Sequence, residues 1–454
     1  MIALRDYQIK IINETRELLR AGETSVLIQS PTASGKTALT AHMLHTASQV
    51  KKMRSWFIVH RRELINQSCA TFDRVGVDYG IISAGYPQKT KALVQICSIQ
   101  TLCRRLAYHD APQLVVWDEC HHQAAKTWAR IRETYNSAIH IGLTATPCRL
   151  DGAGLGKWFN KMICGKGVAE LINEGWLSKF RLYAPKPPVL DHVPVAMGDF
   201  EKSQLSVLMN KPSITGSAIN EYKRLANGQR ALLRAVSIEH SKNVAAEFNA
   251  HGIPAKHVDG DTFADERDRA IKDFATGKIK VLCNVDLFSE GVDIPAVECA
   301  IDLRPTQSLA LWLQFCGRVL RTSDGKEFAT IIDHAGNVFR HGLPDEKREW
   351  SLDDRVKQAR KKEKPETIRT CDKCLAALPS NSTYCKYCEH VLPVVPRKVD
   401  VVEGDLVEVK LAEKKAARME QGQALSYQSL VSLATKRGYK NPSWWAKKVM
   451  EGRR

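Results

Sequence analysis

From Thr24 to about Ile141, short apolar runs alternate with amphipathic segments along the chain. The runs cover 25–29, 55–59, 94–98, 113–117 and 138–143, and the segments between them read as helices. This alternation predicts a parallel sheet covered by helices on both faces. A Pro-rich stretch at Ala184–Pro194 reads as a linker, after which the alternation resumes. Strand-like runs then fall at 231–236, 255–258, 279–284, 297–303 and 328–333, with helical patterns such as 241–251 and 264–276 between them. The fold class is therefore α/β, with two tandem parallel-sheet domains and no internal repeat of short period. The expected boundaries are 1–183 for the first domain, 184–214 for a linker and 215–345 for the second domain.

From Glu346 the pattern changes. Residues 346–370 are charged, include RKKEK at 360–364, and are expected to form a linker or helix. A compact cysteine module follows at 371–392, and then a region, 393–454, that ends in basic and aromatic residues. That last region offers a β-like piece at 399–409 and a polar helical stretch at 411–421.

Composition narrows the function. At 454 residues the chain is long enough for two or three domains with real cores. Lys and Arg number 67 against 50 Asp and Glu, a net charge of +17. Residues 346–454 hold 24 basic and 15 acidic side chains, so nine of those charges sit in a quarter of the length. Such a skew suits a polyanionic partner and salt-sensitive binding. No window of about 18 apolar residues suggests a membrane span or signal core, so a cytoplasmic protein is expected. Nine of the 13 cysteines are scattered singly, as reduced thiols in a reducing compartment would be.

The strongest candidate chemistry is SPTASGKT at 30–37. It follows the apolar run Val26–Ile28 and opens a helix-like segment from Lys36 to about Ser48. Strand, small-residue turn and helix in that order aim backbone N–H groups and a helix N-terminus at one spot, where phosphate oxygens can sit. Pro31, Thr32, Ala33, Ser34 and Gly35 would form this cradle, although Ser30 stands where a phosphate loop usually has its first glycine. Lys36 would reach the β- and γ-phosphates of ATP, and the Thr37 hydroxyl would ligate Mg²⁺. Some 80 residues on, LVVWDECHH at 114–122 ends a second buried-looking run with two carboxylates. Asp118 would hold the same Mg²⁺, and Glu119 would orient and deprotonate the attacking water.

The order of these motifs resembles the superfamily 2 helicases and translocases, in the XPB-like and phage UvsW-like branch, over roughly residues 2–342. The resemblance implies two RecA-like domains, ATP hydrolysis and nucleic-acid binding. It makes LRDYQ at 4–8 an adenine-recognition element, with Gln8 on the base edge and Arg5 nearby. VHRRELINQ at 59–67 and SIQTL at 98–102 resemble the motifs that touch the nucleic-acid backbone, through Arg61, Arg62, Gln100 and Thr101. DECHH departs from the DEAD and DEAH spellings at Cys120 and His121, and His121 would couple the ATP site to the second domain. Zinc binding by His121 and His122 is a remote alternative. GLTATP at 142–147 offers Thr144 and Thr146 as relays to the interdomain cleft. In VLCNVDLFSEGVDIPAV at 281–297, Gly291 and Asp293 would reach the ribose. QFCGRVLR at 314–321 sets Gln314, Arg318 and Arg321 at i, i+4 and i+7, one face of a helix. The guanidinium forks would stabilise charge on the transferring phosphate.

Cys371, Cys374, Cys385 and Cys388 give CxxC–x10–CxxC, the spacing of a zinc ribbon. Two knuckles supply four thiolates and complete a tetrahedral Zn²⁺ site with no open position, which makes it structural. At the end, GYKNPSWWAKKVMEGRR interleaves Tyr439, Trp444 and Trp445 with cations. That arrangement suits stacking on single-stranded or forked nucleic acid; the plainer reading is a helix whose tryptophans dock on the zinc module or an ATPase domain. The sequence thus predicts an ATP-dependent helicase or translocase acting on DNA, single-stranded, forked or branched, in repair, recombination or replication. The motor subunit of a restriction system and an RNA helicase are the alternatives. No membrane is expected as a partner, and a protein partner through the zinc ribbon or C-terminal region is.

Overall fold

The computed structural model describes residues 3–87, 89, 91–122, 126–148, 153–185, 187–196, 198–287, 297–353, 367–393, 420, 424, 426–439 and 441–451. The chain divides into two compact units, Met1–Leu392 and Pro393–Arg454.

The first sheet contains β1 (Ser25–Gln29), β2 (Ser55–Val59), β3 (Tyr79–Ile82), β4 (Val94–Ser98), β5 (Leu114–Trp117), β6 (Ile139–Thr144) and β7 (Lys161–Cys164). Its order is β3-β4-β2-β5-β6-β1-β7, and every pair is parallel. Strands β1, β2, β4 and β5 are buried at every position. That is why they read as unbroken apolar runs rather than as alternation: helices cover both faces, since parallel neighbours must be joined by crossovers. Parallel order also sends every strand's following loop to one edge of the sheet, where the phosphate loop and the DECHH segment both lie.

The second sheet begins earlier in the chain than the sequence suggests. β8 (Lys179–Tyr183), counted above with the first domain, pairs with β15 (Phe328–Asp333). A two-residue ladder, β9 (Val195–Ala196) with β10 (Asp199–Phe200), follows. Then come β11 (Ala231–Arg234), β12 (Ala255–His257), β13 (Val281–Asn284) and β14 (Cys299–Asp302), and the sheet order is β12-β13-β11-β14-β15-β8. The Pro-rich stretch that marks a linker lies directly after β8, so composition alone sets the boundary one strand late.

One buried ion pair organises this second lobe. Arg234 on β11 and Asp302 on β14 are wholly inaccessible, and the guanidinium donates to both carboxylate oxygens at 3.0 and 2.6 Å. A third donation reaches the Leu311 carbonyl at 3.1 Å, and the guanidinium lies 4.4 Å from the Phe315 ring centroid. The Asn337 amide and the Arg304 backbone N–H also donate to the carboxylate, at 2.8 and 3.1 Å. Both Leu311 and Phe315 belong to the helix Leu309–Val319, which is thereby fixed to the middle of the sheet. A buried charge pair of this kind is tolerated because the two charges meet in bidentate geometry and each has further hydrogen-bond partners.

Residues 346–353, expected to continue as linker or helix, are irregular. Arg348 explains it: its guanidinium donates to the carbonyls of His341, Leu343, Glu346 and Pro344 at 2.7–3.4 Å, folding the segment around one side chain. The second unit contains the helices Tyr427–Lys436 and Pro442–Glu451, packed through Leu430, Leu433 and Ala446. Trp445 stacks on Tyr439 at 5.1 Å inside this hairpin, whereas Trp444 is exposed. The piece predicted at 399–409, and the one at 411–421 apart from Glu420, lie outside the described residues. Among the described residues no helix is long and apolar enough to cross a membrane.

His140 on β6 accepts from the Trp117 indole at Nδ1 (3.1 Å) and faces the Tyr135 carbonyl with Nε2 at 3.0 Å, a neutral tautomer. Burial pushes its pKa down to about 4. The unfolded chain, with an ordinary value of about 6.5, takes up this proton first as the pH falls. The stability contributed by neutral His140 is therefore complete above about pH 6.5 and drains away towards about pH 4. Urea unfolding of His140→Gln should show a shallower loss of first-lobe stability than the parent between those two pH values.

Candidate nucleotide site and metal centre

The loop 30–35 leaves β1 and closes on itself before the helix Lys36–Gln49 starts. Ser30 and Ser34 share a hydroxyl–hydroxyl bond at 2.7 Å, and Ser34 also donates to the Pro31 carbonyl at 2.7 Å. Ala33 and Gly35 take left-handed backbone angles, φ 67° and 81°. Gly35 suits its place for a second reason: a Cβ there would meet the Gln8 amide nitrogen at 2.7 Å. Lys36, the first residue of the helix, folds its ammonium back onto the carbonyls of Ser30 and Pro31 at 3.2 and 3.3 Å. Thr37 follows it in the first turn.

The N-terminal element grips this loop. Gln8 is buried, and its amide nitrogen donates to the carbonyls of Ser34 (3.1 Å) and Gly35 (3.2 Å), while its oxygen accepts from the Arg5 backbone at 3.0 Å. Tyr7, which sequence reasoning passed over, donates its hydroxyl to the Ser34 carbonyl. Arg5 lies 4.4 Å over the Trp176 ring. Thus both polar ends of the Gln8 side chain are engaged by backbone, and Arg5 by an aromatic face.

Asp118 and Glu119 sit just past β5. Asp118 is buried, and its carboxyl is pushed up to about 6, first by burial and then by the neighbouring Glu119 charge, with Lys36 pulling it back. Glu119 adopts φ 46°, an uncommon angle for a side chain of its size, at the turn that points it away from the strand. His121 Nδ1 lies 3.4 Å from Glu119 and 3.2 Å from the Thr144 hydroxyl. Thr144 in turn donates to the Thr146 carbonyl at 3.0 Å and accepts from the Thr146 N–H at 3.1 Å. The chain of contacts Glu119–His121–Thr144–Thr146 joins the carboxylate segment to the GLTATP segment. The side chain of His122 lies outside the described residues.

The second lobe meets the phosphate loop directly. A Cβ added at Gly317 would lie 2.4 Å from the Thr32 Cβ and 2.8 Å from its Cγ2, so the helix Leu309–Val319 rests on the loop with no space between them. Gln314, one turn earlier, is buried with both amide atoms lacking a hydrogen-bond partner. The Thr32 and Thr146 hydroxyls are buried in the same condition. Buried polar atoms left without partners cost free energy unless a ligand or water meets them. Arg318 is buried on this helix. Arg321 departs from the expected single face, because the helix stops at Val319 and Arg321 lies beyond it. Burial lowers its pKa. Its carbonyl accepts from the Ser178 hydroxyl (3.1 Å) and Lys326 (2.9 Å), which fix the turn. Gly291 and Asp293 lie outside the described residues.

The residues expected at the nucleic-acid backbone are held by main chain. Gln100 donates to the His60 carbonyl at 3.0 Å, and the Thr101 hydroxyl accepts from the Ala84 N–H at 3.3 Å. Arg61 reaches across the cleft to the carbonyls of Asp286 (3.4 Å) and Leu287 (3.0 Å), just past β13. The side chain of Arg62 lies outside the described residues.

The four cysteines converge. Their Sγ atoms all lie within 4.8 Å of one another, with Cys371–Cys388 at 3.7 Å and Cys374–Cys385 at 3.6 Å. Tetrahedral zinc with Zn–S near 2.3 Å requires S···S of roughly 3.8 Å, so the donor set fits. The two knuckles are built alike. Leu375 and Glu389, each just after a second cysteine, take φ 66° and 58° and return their N–H groups to Cys371 and Cys385 at 2.9 and 2.8 Å. The strands β16 (Ile368–Thr370) and β17 (Ala377–Pro379) pair beside them. The module docks on β8: Ala376 bridges Tyr183, the Ala184 N–H donates to the Leu375 carbonyl at 2.9 Å, and Arg181 lies over both Phe328 and Tyr387.

With this geometry in place, comparison with known proteins is decisive. Residues 1–149 match the family described as type III restriction enzyme, res subunit, and residues 216–323 match the helicase conserved C-terminal domain. The chain belongs to the superfamily 2 ATP-dependent helicases. A 51.5 kDa protein of a Lactococcus phage is 35% identical over 401 residues, 86% of this chain and 85% of that one. A Saccharomyces cerevisiae protein named as an ATP-dependent helicase, IRC3, is 31% identical over 73% of this chain, which spans about half (51%) of the yeast protein's length. The DNA 3'-5' translocase XPB2 of Sulfurisphaera tokodaii is 24% identical over 71% of this chain and 80% of its own. Among solved structures, a fragment of a type I restriction HsdR subunit from Vibrio vulnificus has the same fold, with a TM-score of 0.60 at 19% identity over 76% of this chain and 66% of that one. The two family matches fall one on each sheet.

Any side chain at position 317 must push the helicase lobes apart at Thr32. Gly317→Val should give a larger radius of gyration by small-angle scattering, in the presence and absence of nucleotide, with both sheets still folded by circular dichroism.

Proposed function

We propose that this helicase is a nucleic-acid-dependent ATPase that translocates on DNA, favouring single-stranded, forked or branched substrates. The observation that carries the reading is the contact of Gly317 with Thr32, which rests the helix that bears the buried Gln314 and Arg318 on the loop 30–35. The phosphates of ATP would be held by Pro31–Thr37, with Lys36 released from the loop carbonyls to meet them. Thr37 and Asp118 are the residues that would hold Mg²⁺, which supplies Lewis-acid neutralisation of phosphate charge when bound. Glu119, oriented by its turn and by His121, would accept the proton of the attacking water. Gln314, Arg318 and Arg321 would meet the charge that develops on the transferred group. Opening and closing at the Gly317–Thr32 joint would shift the two lobes relative to each other, which is the elementary step of translocation. Arg61 bridges the lobes at a point where such a shift must be felt.

The basic excess in residues 346–454 favours a polyanionic nucleic acid, and the likeness to a protein named as a DNA translocase favours DNA. The type I and type III restriction likenesses favour a second reading, a motor that moves along duplex DNA for a partner. A strand-displacement assay on forked DNA, branched DNA and RNA duplexes, run beside a displacement assay for a bound third strand, separates these readings. Displacement of forked or branched DNA is expected. Third-strand removal without unwinding identifies the restriction-type motor, and activity confined to RNA overturns the DNA reading.

Lys36→Ala and Glu119→Gln should each lower polynucleotide-stimulated ATP turnover by at least about 10³, and Arg321→Ala by about 10³–10⁵ if it acts as a finger. Either of the first two retaining full turnover would refute the site.

The four-cysteine cluster would hold one structural Zn²⁺, since four protein thiolates leave no position for substrate. Metal analysis should find about one zinc per chain. Chelation should expose the Cys371–Cys388 thiols to a thiol reagent together with protease sites near β8, because so small a module draws most of its folding energy from the metal.

A further inference from the structure

A cavity of about 730 Å³ opens beside the phosphate loop. Pro31 and Thr32 form one wall, Gly317 a second, and residues 165–170, which follow β7, a third. The fourth wall is the segment 344–350, which no sequence motif marks. This segment is a strap between the lobes. At its start the Trp312 indole of the second lobe donates to the Gly342 carbonyl at 3.1 Å, and Arg348 gathers the carbonyls around it. At its end the Gly156 N–H of the first lobe donates to the Leu352 carbonyl at 2.9 Å, and Leu352 packs on the first-lobe core beside Leu155 and Phe159. The landing is close: a Cβ at Gly154 would lie 2.1 Å from the Leu352 oxygen. Trp350 stands between these two anchors, half-buried, and is the one aromatic among the described residues lining the cavity.

We propose that Trp350 is a base-stacking residue that gives the site its affinity for a nucleoside triphosphate over bare triphosphate. The inference rests on the nucleotide-site reading above. Phosphates held at Pro31–Thr37 would leave the sugar and base in adjoining space, and this cavity, lined by Pro31 and Thr32, has a volume in the range of small-molecule sites. A purine needs a flat apolar face. Gln8 has both amide ends occupied by backbone and Arg5 lies over Trp176, whereas Trp350 offers such a face within the lining of this cavity. Because the strap is tied to both lobes, a base stacked on Trp350 also favours the arrangement in which the strap spans them.

The test compares the full chain with its Trp350→Ala and Trp350→Phe forms, measuring ATP affinity by equilibrium titration and inorganic tripolyphosphate affinity by competition. Loss of one base-stacking contact should weaken ATP about tenfold in Trp350→Ala. Tripolyphosphate affinity should stay the same, and Trp350→Phe should recover most of the ATP affinity. Gly154→Val, which dislodges the strap at its landing, should reproduce the ATP-selective loss. Equal ATP affinity in the parent and Trp350→Ala would overturn the proposal, as would an equal loss for both ligands, which marks a merely structural tryptophan. A parent protein that binds neither ligand would remove the nucleotide site itself and the proposal with it. Tripolyphosphate binding without ATP preference leaves the phosphate loop standing and sinks Trp350 alone.

Discussion

The helix Leu309–Val319 touches the phosphate loop at a point too narrow for a methyl group, and the whole candidate site is arranged around that touch. The Arg234–Asp302 pair is its foundation. By reaching Leu311 and lying over Phe315, the Arg234 guanidinium fixes the helix to the strands behind it. The helix therefore moves with its sheet as one body, and any relative motion must occur at the loop. Packed interiors deform poorly, so a small displacement at Thr32 becomes a displacement of the entire second lobe. Buried polar atoms without partners occur on Thr32 in the loop, on Gln314 in the helix and on Thr146 in the GLTATP segment. Buried without hydrogen-bond partners, they are a cost in folding.

Much of this is legible in the sequence, for physical reasons. Strands buried on both faces leave unbroken apolar runs, so the runs at 25–29, 55–59 and 94–98 coincide with β1, β2 and β4. Each loop that follows such a strand carries its candidate residues contiguously, which is why Lys36, Asp118 and Thr144 stand out as candidates without coordinates. The cysteine knuckles are equally plain, because each is a local turn with its two ligands close in the chain.

The misses share the opposite property. β8 is defined by its partner β15, which lies far along the chain, and nothing within KFRLY announces that pairing. Spacing puts Arg321 on a helical face, yet the helix ends two residues earlier. Tyr7 and Trp176 serve the loop and Arg5 through tertiary approach alone. The strap reads as a charged linker or helix because its composition is helical; Arg348 instead draws four carbonyls onto one guanidinium.

The placement of β8 has a bearing on how the protein is made. This edge strand of the second sheet precedes the Pro-rich linker, so it leaves the ribosome before any of its sheet partners exist. Its apolar residues must wait, exposed or loosely held by the first lobe, until β15 emerges some 145 residues later. The cysteine module, synthesised last of the three, then closes over the open side of that strand. Assembly thus proceeds from an early edge to a late clasp, and a fragment cut within the linker would strand the one from the other.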